Sequence, residues 1–346
     1  MIYRILGFLQ HLIYMCHFHH FSLTAFVAAL VAVVSCAPKQ AEIRIPVCSI
    51  ACMSSSYVAY LEVIGADSLV CAVSGLRYVN NVNVQSRASC AKEGEPPVYE
   101  LGYEAMLDYE LLAELKPNVV LAYTMGEDGG KPAYISKLES LGLPVYVLND
   151  YLAEHPLERA AAVLKLGQLT GRESVANEYW EGLCARYGAL ADSVSRMGGD
   201  RVKVLMNLPY SDAWFVPGAD SYMARFVHDA GGEILGAEPG VKSRVITLEE
   251  AYRLSQEADV WLNPGACRSR SELAGMHQLF PKFGPLADGL PIYNNTLRTN
   301  AAGGNDFWES GAAHPDKILE DLIRIFDEVR SGRPVSGELN FYFPLE

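Results

Sequence analysis

Basic residues are scarce in this chain. The 28 lysines and arginines stand against 41 aspartates and glutamates, so that the net charge is −13. Proteins that bind nucleic acid need a concentrated basic surface, and we therefore expect no nucleic-acid partner. Otherwise the composition is that of an ordinary globular protein, with 50% hydrophobic and 20% charged residues.

The usual motifs of catalysis are missing. There is no G-x-S-x-G nucleophile elbow, and the glycine-rich residues 125–130 lack the Lys-Ser/Thr pair of a phosphate-binding loop. A zinc or manganese site usually needs several histidines and a carboxylate close together. The histidines beyond residue 20 are instead widely separated: His155, His228, His277 and His314. We predict a binding protein rather than an enzyme, with no resident metal or cofactor.

One long apolar run is present, at residues 21–35, and Cys36 follows it directly. The run has the length of a signal-peptide core and is too short for a comfortable membrane span. Residues 33–36, VVSC, resemble a bacterial lipobox, whose cysteine becomes the lipidated N-terminus after cleavage. We predict a signal peptide at 1–35, a lipid anchor on Cys36 and a tether at 36–44. The protein would then lie on the periplasmic side of a bacterial membrane; the alternative is an anchor helix with an incidental cysteine.

Six further cysteines follow the lipobox: Cys48, Cys52, Cys71, Cys90, Cys184 and Cys267. An exported protein is permitted disulfides, but spacing alone does not pair them. We expect buried free thiols, with a bridge between Cys71 and Cys90 as the alternative.

Short apolar strands alternate with helical segments in two parts of the chain. The predicted strands lie at 45–50, 68–73, 119–123, 144–148, 202–208, 259–262 and 292–293. This alternation is typical of parallel sheets covered by helices on both faces. We predict an N-terminal α/β lobe at 45–152, a C-terminal α/β lobe at 200–332 and a tail at 333–346.

Between the lobes, residues 156–197 show an almost uninterrupted pattern of helical spacing, with a break at Thr170–Gly171. Roughly 40 helical residues at 1.5 Å each are long enough to run past two lobes. The predicted fold is therefore α/β, with two Rossmann-like lobes joined by one long helix within 153–199. Two ordinary packed helices remain the alternative for this stretch.

Several segments resemble, in order and spacing, the motifs of one protein family. They are 116–121, KPNVVL; 144–146, PVY; 214–218, WFVPG, with Ser221 and 231–232, GG; 248–249, LE; 258–260, ADV; and 305–309, NDFWE. Over residues 45–330 the chain is similar to the substrate-binding proteins of ABC importers for siderophores, haem and cobalamin. The resemblance implies two lobes on one long helix, a ligand held in the cleft between them, and an ABC permease with its ATPase as partners.

The candidate cleft residues lie in predicted loops that follow strand ends, because α/β folds bind ligands at the carboxyl ends of their strands. In the first lobe these are Ser54, Ser55, Ser56, Arg77, Tyr78, Glu100, Tyr103 and Tyr123. In the second lobe they are Trp214, Phe215, Asn263, Arg298, Asn300, Asn305 and Trp308. Aromatic side chains offer flat walls with a polar tip, and Arg77 suits a carboxylate, catecholate or phosphate of a ligand. Core packing remains the alternative for each aromatic residue.

The resemblance also implies that a glutamate on each lobe docks on the permease. The positions that match are Glu110 and Glu249, with Glu250 as an alternative. The predicted cargo is an iron chelate, a ferric siderophore first, with cobalamin or haem as alternatives; haem would favour Tyr78, Tyr103 or His155 as its ligand. The competing classes are a metallocluster or chelatase-like enzyme on the same two-lobe plan, and a surface lipoprotein that scavenges ligand without a permease.

Overall fold

The structure is a computed structural model that describes residues 41–90, 94–103, 106–124, 130–210 and 213–346, and residues 42–346 form one compact unit. The predicted signal peptide, the lipidated Cys36 and most of the tether lie outside the described residues, as does the side chain of Cys90. Within the described part, no helix has both the length and the apolar character needed to cross a membrane.

The first lobe is built on a five-stranded parallel sheet with the strand order β3-β2-β1-β4-β5. Its strands are β1 (Ile50–Cys52), β2 (Val70–Val73), β3 (Tyr99–Glu100), β4 (Val119–Ala122) and β5 (Val145–Val147). Its helices are α1 (Ser55–Val63), α2 (Val82–Cys90), α3 (Tyr109–Leu115) and α4 (Ala133–Ser140). The predicted parallel α/β architecture is confirmed, although the first strand starts at Ile50 rather than at Ile45.

Three helices connect the lobes: α5 (Pro156–Ala160), α6 (Ala162–Thr170) and α7 (Glu173–Met197). The predicted break is real, because Gly171 ends α6 in the left-handed conformation with φ 68°. A second break at Ala161 was not predicted. At 25 residues, α7 is about 37 Å long. Tyr179 and Trp180 of α7 pack on the core of the first lobe, and Tyr187 and Leu190 belong to the core of the second. The long helix therefore joins the two cores.

The second lobe has a five-stranded sheet with the order β13-β12-β11-β6-β9, in which β13 alone runs antiparallel to its neighbour. Its strands are β6 (Val202–Met206), β9 (Gly232–Ile234), β11 (Val260–Leu262), β12 (Ile292–Asn294) and β13 (Phe343–Pro344). Its helices are α8 (Tyr222–Asp229), α9 (Leu248–Ser255), α10 (Arg270–Met276), α11 (Gly284–Ala287) and α13 (Pro315–Ser331). The short helix α12 (Ser310–Ala313) precedes α13 but packs on α1, and its Ala312 and Ala313 belong to the core of the first lobe.

The last residues are part of this lobe, which corrects the prediction of a tail at 333–346. Phe341, Tyr342 and Leu345 are buried in the core of the second lobe, and β13 pairs with β12. The buried carboxylate of Asp321 on α13 accepts hydrogen bonds from the backbone N–H groups of Asn340 and Phe341, at 2.8 and 2.7 Å. Apolar burial and these charge-assisted bonds therefore hold the C-terminal segment in place.

A small antiparallel sheet packs on the second lobe and was not predicted. Its strands are β7 (Pro209–Tyr210), β8 (Ala213–Pro217) and β10 (Ser243–Ile246), in the order β10-β8-β7. In β8 the side chains alternate, with Trp214 and Val216 buried and Phe215 exposed. The motif at 214–218, expected as a loop, is therefore a half-buried strand.

Candidate functional site

The end of β1 supplies the first candidates. Ser54 is the N-cap of α1: its hydroxyl accepts from the backbone N–H of Ser56 and lies 2.9 Å from the Ser56 hydroxyl. Ser56 is 3% exposed, so it serves the helix start and does not line an open cleft, contrary to the prediction. Ser54 and Ser55 are partly exposed at the same strand end.

The ends of β2 and β3 bring four predicted residues together. The guanidinium of Arg77 lies 4.5 Å from the centre of the Tyr78 ring, and that ring lies 6.3 Å from the ring of Tyr103. The carboxylate of Glu100 accepts from the backbone N–H groups of Gly75 and Gly102, each at 2.8 Å. Glu100 thus holds the two strand-end turns together, while Arg77, Tyr78 and Tyr103 form a cationic and aromatic group, hereafter the arginine–tyrosine arm. Arg77 and Tyr103 are exposed, and Tyr78 is half-buried.

Partial burial, together with nearby Tyr78 and Glu100, raises the pKa of Tyr103 above its usual range. The phenol of Tyr103 is therefore neutral at physiological pH and remains a hydrogen-bond donor. A ligand reaching the arm meets a positive guanidinium and phenol groups.

The end of β4 carries Tyr123, which is half-buried at the far side of the same sheet edge. Its ring lies 6.3 Å from that of Tyr134 and 6.2 Å from that of Tyr151. Tyr151 follows β5, is 37% exposed, and donates through its hydroxyl to the carbonyl of Thr124. The strand-end rule that predicts Tyr123 applies equally to Tyr151, which is not among the predicted site residues.

Trp214 is a core residue, which corrects its placement in the cleft. It is 1% exposed, stacks 5.9 Å from Phe283 and 6.0 Å from Trp261, and donates through Nε1 to the carbonyl of Met206 at 2.9 Å. Its strand neighbour Phe215 is 43% exposed on the opposite face of β8. Ligand quenching of Trp214 fluorescence is therefore not expected.

Asn263 follows β11 in the left-handed conformation, with φ 59°, and is 8% exposed. Its backbone N–H donates to the carbonyl of Tyr293, and its side chain lies beside the buried Tyr342. Asn263 therefore lies at the predicted sheet edge but is covered by its own lobe.

The remaining candidates lie on one segment, residues 298–309. Arg298 pairs with the buried Asp306, with Nη2 and Oδ2 2.9 Å apart, so its charge is compensated. The side chains of Asn300 and Asn305 cap turns of the segment by accepting backbone N–H bonds. Trp308 is 44% exposed. This segment contacts the loop at 77–81 of the first lobe, so that Asn300 and the arginine–tyrosine arm lie together.

Two acidic helix starts match the predicted docking positions. Glu110 lies in the first turn of α3, after the cap residue Asp108, and Glu249 lies in the first turn of α9, after Thr247. Both glutamates are exposed. The alternative, Glu250, is engaged by Arg244, with 2.8 Å between the charged atoms. The geometry therefore favours Glu249 over Glu250 as a contact for a partner.

The described cysteines are free thiols: Cys48, Cys52, Cys71, Cys184 and Cys267. Cys71 donates to the carbonyl of Ile50 at 3.4 Å, and the alternative of a bridge from Cys71 is therefore wrong. Burial raises the pKa of Cys71 and Cys267 above the usual range, which makes both thiols less reactive. Across the described residues, no three His, Cys, Asp or Glu side chains converge as metal ligands.

The model of a family described as periplasmic binding protein matches residues 50–272 of the chain. The chain belongs to this family. The resemblance found in the sequence motifs is thus confirmed, and the matched residues of this periplasmic binding protein cover the first lobe and about half of the second. No curated protein sequence matches the chain.

Solved structures share the fold at low sequence identity. One is a haem-binding protein of Pseudomonas aeruginosa, 18% identical, with a TM-score of 0.61 over 87% of this chain and 98% of that one. A vitamin B12 binding protein of Vibrio cholerae is 13% identical, with a TM-score of 0.58 over 82% and 98%. A possible iron-binding protein of Staphylococcus epidermidis is 16% identical, with a TM-score of 0.59 over 81% and 99%.

Proposed function

We propose that this periplasmic binding protein captures a metal chelate between its lobes and hands it to an ABC permease with its ATPase. The arginine–tyrosine arm carries the proposal, because it places a guanidinium and two phenols where the lobes meet. Arg298 is compensated by Asp306, so Arg77 supplies the positive charge of the arm. A ferric siderophore of low negative charge is the first candidate ligand.

Haem and cobalamin are the alternatives of the same class. The similar solved structures include a haem-binding and a vitamin B12 binding protein. A phenol of the arm favours haem over cobalamin, because tyrosine is a known axial ligand of haem iron and gives up its proton when it binds the metal. In this account the protein acts by binding, as a receptor rather than an enzyme.

The ligand is tested by titrating the mature chain with haemin, with cyanocobalamin and with a ferric trihydroxamate siderophore, following tryptophan fluorescence. Trp308 is the expected reporter because it is exposed on the segment that faces the arm. The true ligand quenches the wild type, and Trp308→Phe loses most of that quenching. Arg77→Ala and Tyr78→Phe weaken binding at least tenfold, whereas Tyr252→Phe, on the outside of α9, binds as the wild type does. Equal affinities of the wild type, Arg77→Ala and Tyr78→Phe would contradict the proposed site.

We further propose that Glu110 and Glu249 dock on the permease, one from each lobe. Charge reversal of both to lysine abolishes uptake in cells but spares the affinity for the chelate, because the chelate is bound by the arm and not by these glutamates. The matched control is Glu181→Lys on the exposed face of α7, which leaves uptake intact. Normal uptake by the double variant would remove the docking claim.

Lipidation of Cys36 places the receptor beside the permease at the membrane. Metabolic labelling with a fatty-acid analogue tests this: the wild type is labelled and Cys36→Ser is not. Label on the Cys36→Ser protein would contradict the anchor.

A further inference from the structure

The loop at 77–81 of the first lobe is held by the carboxylate of Glu309, the residue before α12. Oε2 of Glu309 accepts a hydrogen bond from the backbone N–H of Asn80 at 2.7 Å, and Oε1 accepts one from Asn81 at 2.9 Å. The side-chain amide of Asn80 donates to the same carboxylate at 3.2 Å. Glu309 is 2% exposed, so these bonds are shielded from water. Above its raised pKa of about 7, the ionised carboxylate makes these bonds stronger than a neutral acceptor would.

The carbonyl groups of the same loop are bonded to the second lobe as well. Nδ2 of Asn300 donates to the carbonyl oxygens of Arg77 at 3.2 Å and of Val79 at 3.1 Å. Gly304 approaches the loop so closely that a Cβ would stand 1.9 Å from the carbonyl oxygen of Tyr78. Only glycine fits there, since any side chain would force the two backbones apart.

Contacts from both lobes therefore fix the position of the arginine–tyrosine arm. By sequence the arm belongs to the first lobe, but its backbone also accepts hydrogen bonds from Asn300 of the second. Any opening between the lobes must therefore break the bonds of Asn300 or move Arg77 and Tyr78, whereas Glu309 adjoins α12, which packs on the first lobe. Glu309 itself touches neither ring of the arm, and acts through the backbone of Asn80 and Asn81.

We infer that Glu309 is a positioning residue for ligand binding: it holds the backbone at Asn80 and Asn81 and thereby sets where Arg77 and Tyr78 stand. The inference rests on the proposed function, since the arm matters only if it contacts the ligand. It extends that function, because a residue that does not contact the ligand then contributes to the affinity for it.

The first test is amide hydrogen exchange of the mature protein without ligand. Glu309→Gln keeps the shape of the side chain but replaces one acceptor oxygen by a donor, so the amides of residues 80 and 81 exchange at least tenfold faster. The matched control is Glu328→Gln. The Glu328 carboxylate likewise accepts a backbone N–H, that of Val335 at 2.9 Å, but within the second lobe. This control leaves exchange at residues 76–82 unchanged.

The second test is affinity for whichever probe binds the wild type, among haemin, cyanocobalamin and a ferric trihydroxamate. Glu309→Gln raises Kd about tenfold, mainly through faster dissociation, and the double variant with Arg77→Ala loses less than the product of the two single losses. That coupling separates positioning from a general loss of stability. Glu328→Gln binds as the wild type does. If Glu309→Gln fails to fold, Asn300→Ala is measured in the same two ways.

Exchange at residues 80 and 81 that stays at the wild-type rate would overturn the inference. Faster exchange with an unchanged Kd would also overturn it, because the loop would then not control the ligand. A wild type that binds none of the three probes instead refutes the proposed function, while the exchange rates still decide whether Glu309 holds the loop.

Discussion

A buried ion pair lies at the start of the connection between the lobes, and its removal gives the sharpest stability prediction. Oδ2 of Asp150 accepts from Nε of Arg159 at 3.1 Å and from the hydroxyl of Tyr60 at 2.9 Å. The two charged side chains are 4% and 12% exposed. The guanidinium also lies 5.0 Å from the centre of the Tyr222 ring in the second lobe. The pair thus connects the first lobe, α5 and the second lobe.

Asp150→Asn leaves the guanidinium of Arg159 buried without a counter-charge. Breaking a buried pair in this way costs about 3–5 kcal/mol. For a protein of this size that corresponds to a fall in Tm of roughly 5–8 °C. The measurements are urea unfolding and differential scanning calorimetry. The double variant with Arg159→Met recovers part of the loss, because no unpaired charge then remains.

The control for this prediction is an exposed pair in the second lobe, Lys203 and Glu257, whose charged atoms are 4.0 Å apart. Glu257→Gln changes the free energy of unfolding by less than about 1 kcal/mol, because solvent screens the pair. The reasoning is refuted if Asp150→Asn unfolds within that same margin of the wild type, or if the double variant is less stable than Asp150→Asn alone.

Two further predictions concern residues with separable roles. Burial raises the pKa of Glu309 to about 7, so between pH 4.5 and 7 the folded chain keeps a proton that the unfolded chain releases. Relative to Glu309→Gln, the wild type therefore loses about 3 kcal/mol of stability as pH rises from 4.5 to 7.5. Parallel stability–pH profiles of the two proteins would exclude this. Trp214→Ala lowers the free energy of unfolding by about 3–5 kcal/mol without changing chelate affinity, whereas Trp308→Ala weakens binding with little loss of stability. Urea unfolding measures the stability of both variants, and ligand titration measures their affinity. Loss of affinity in Trp214→Ala with loss of stability in Trp308→Ala would instead place Trp214 in the cleft.

Much of the fold could be predicted because its determinants are local. The strands are short apolar runs, and α7 carries an apolar stripe that persists along its length. The break at Ala161 could not be predicted from propensity, since alanine is the best helix former and the bend is set by packing against both lobes. The short strand β3 and the polar helix α2 carry too little hydrophobic periodicity to be found.

The site could be predicted where one rule sufficed and not where two distant segments had to meet. Residues at strand ends, such as Arg77, Tyr78 and Tyr103, do come together. The cleft position predicted for Trp214 is wrong because residues 213–217 form the half-buried strand β8, which turns Trp214 into the core. Glu309 was missed because its partner Asn81 is 228 residues away in sequence, and no local pattern records a hydrogen bond across that distance.

The position of the bound ligand tests the central claim most directly. The measurement is a crystal structure of the mature chain with the probe that binds it. The account predicts that the chelate lies between the lobes, with Arg77 and Tyr78 on one side and the segment at 298–309 on the other. A chelate bound elsewhere, such as in the groove of about 660 Å³ lined by Tyr293, Leu297 and Val335, would contradict it.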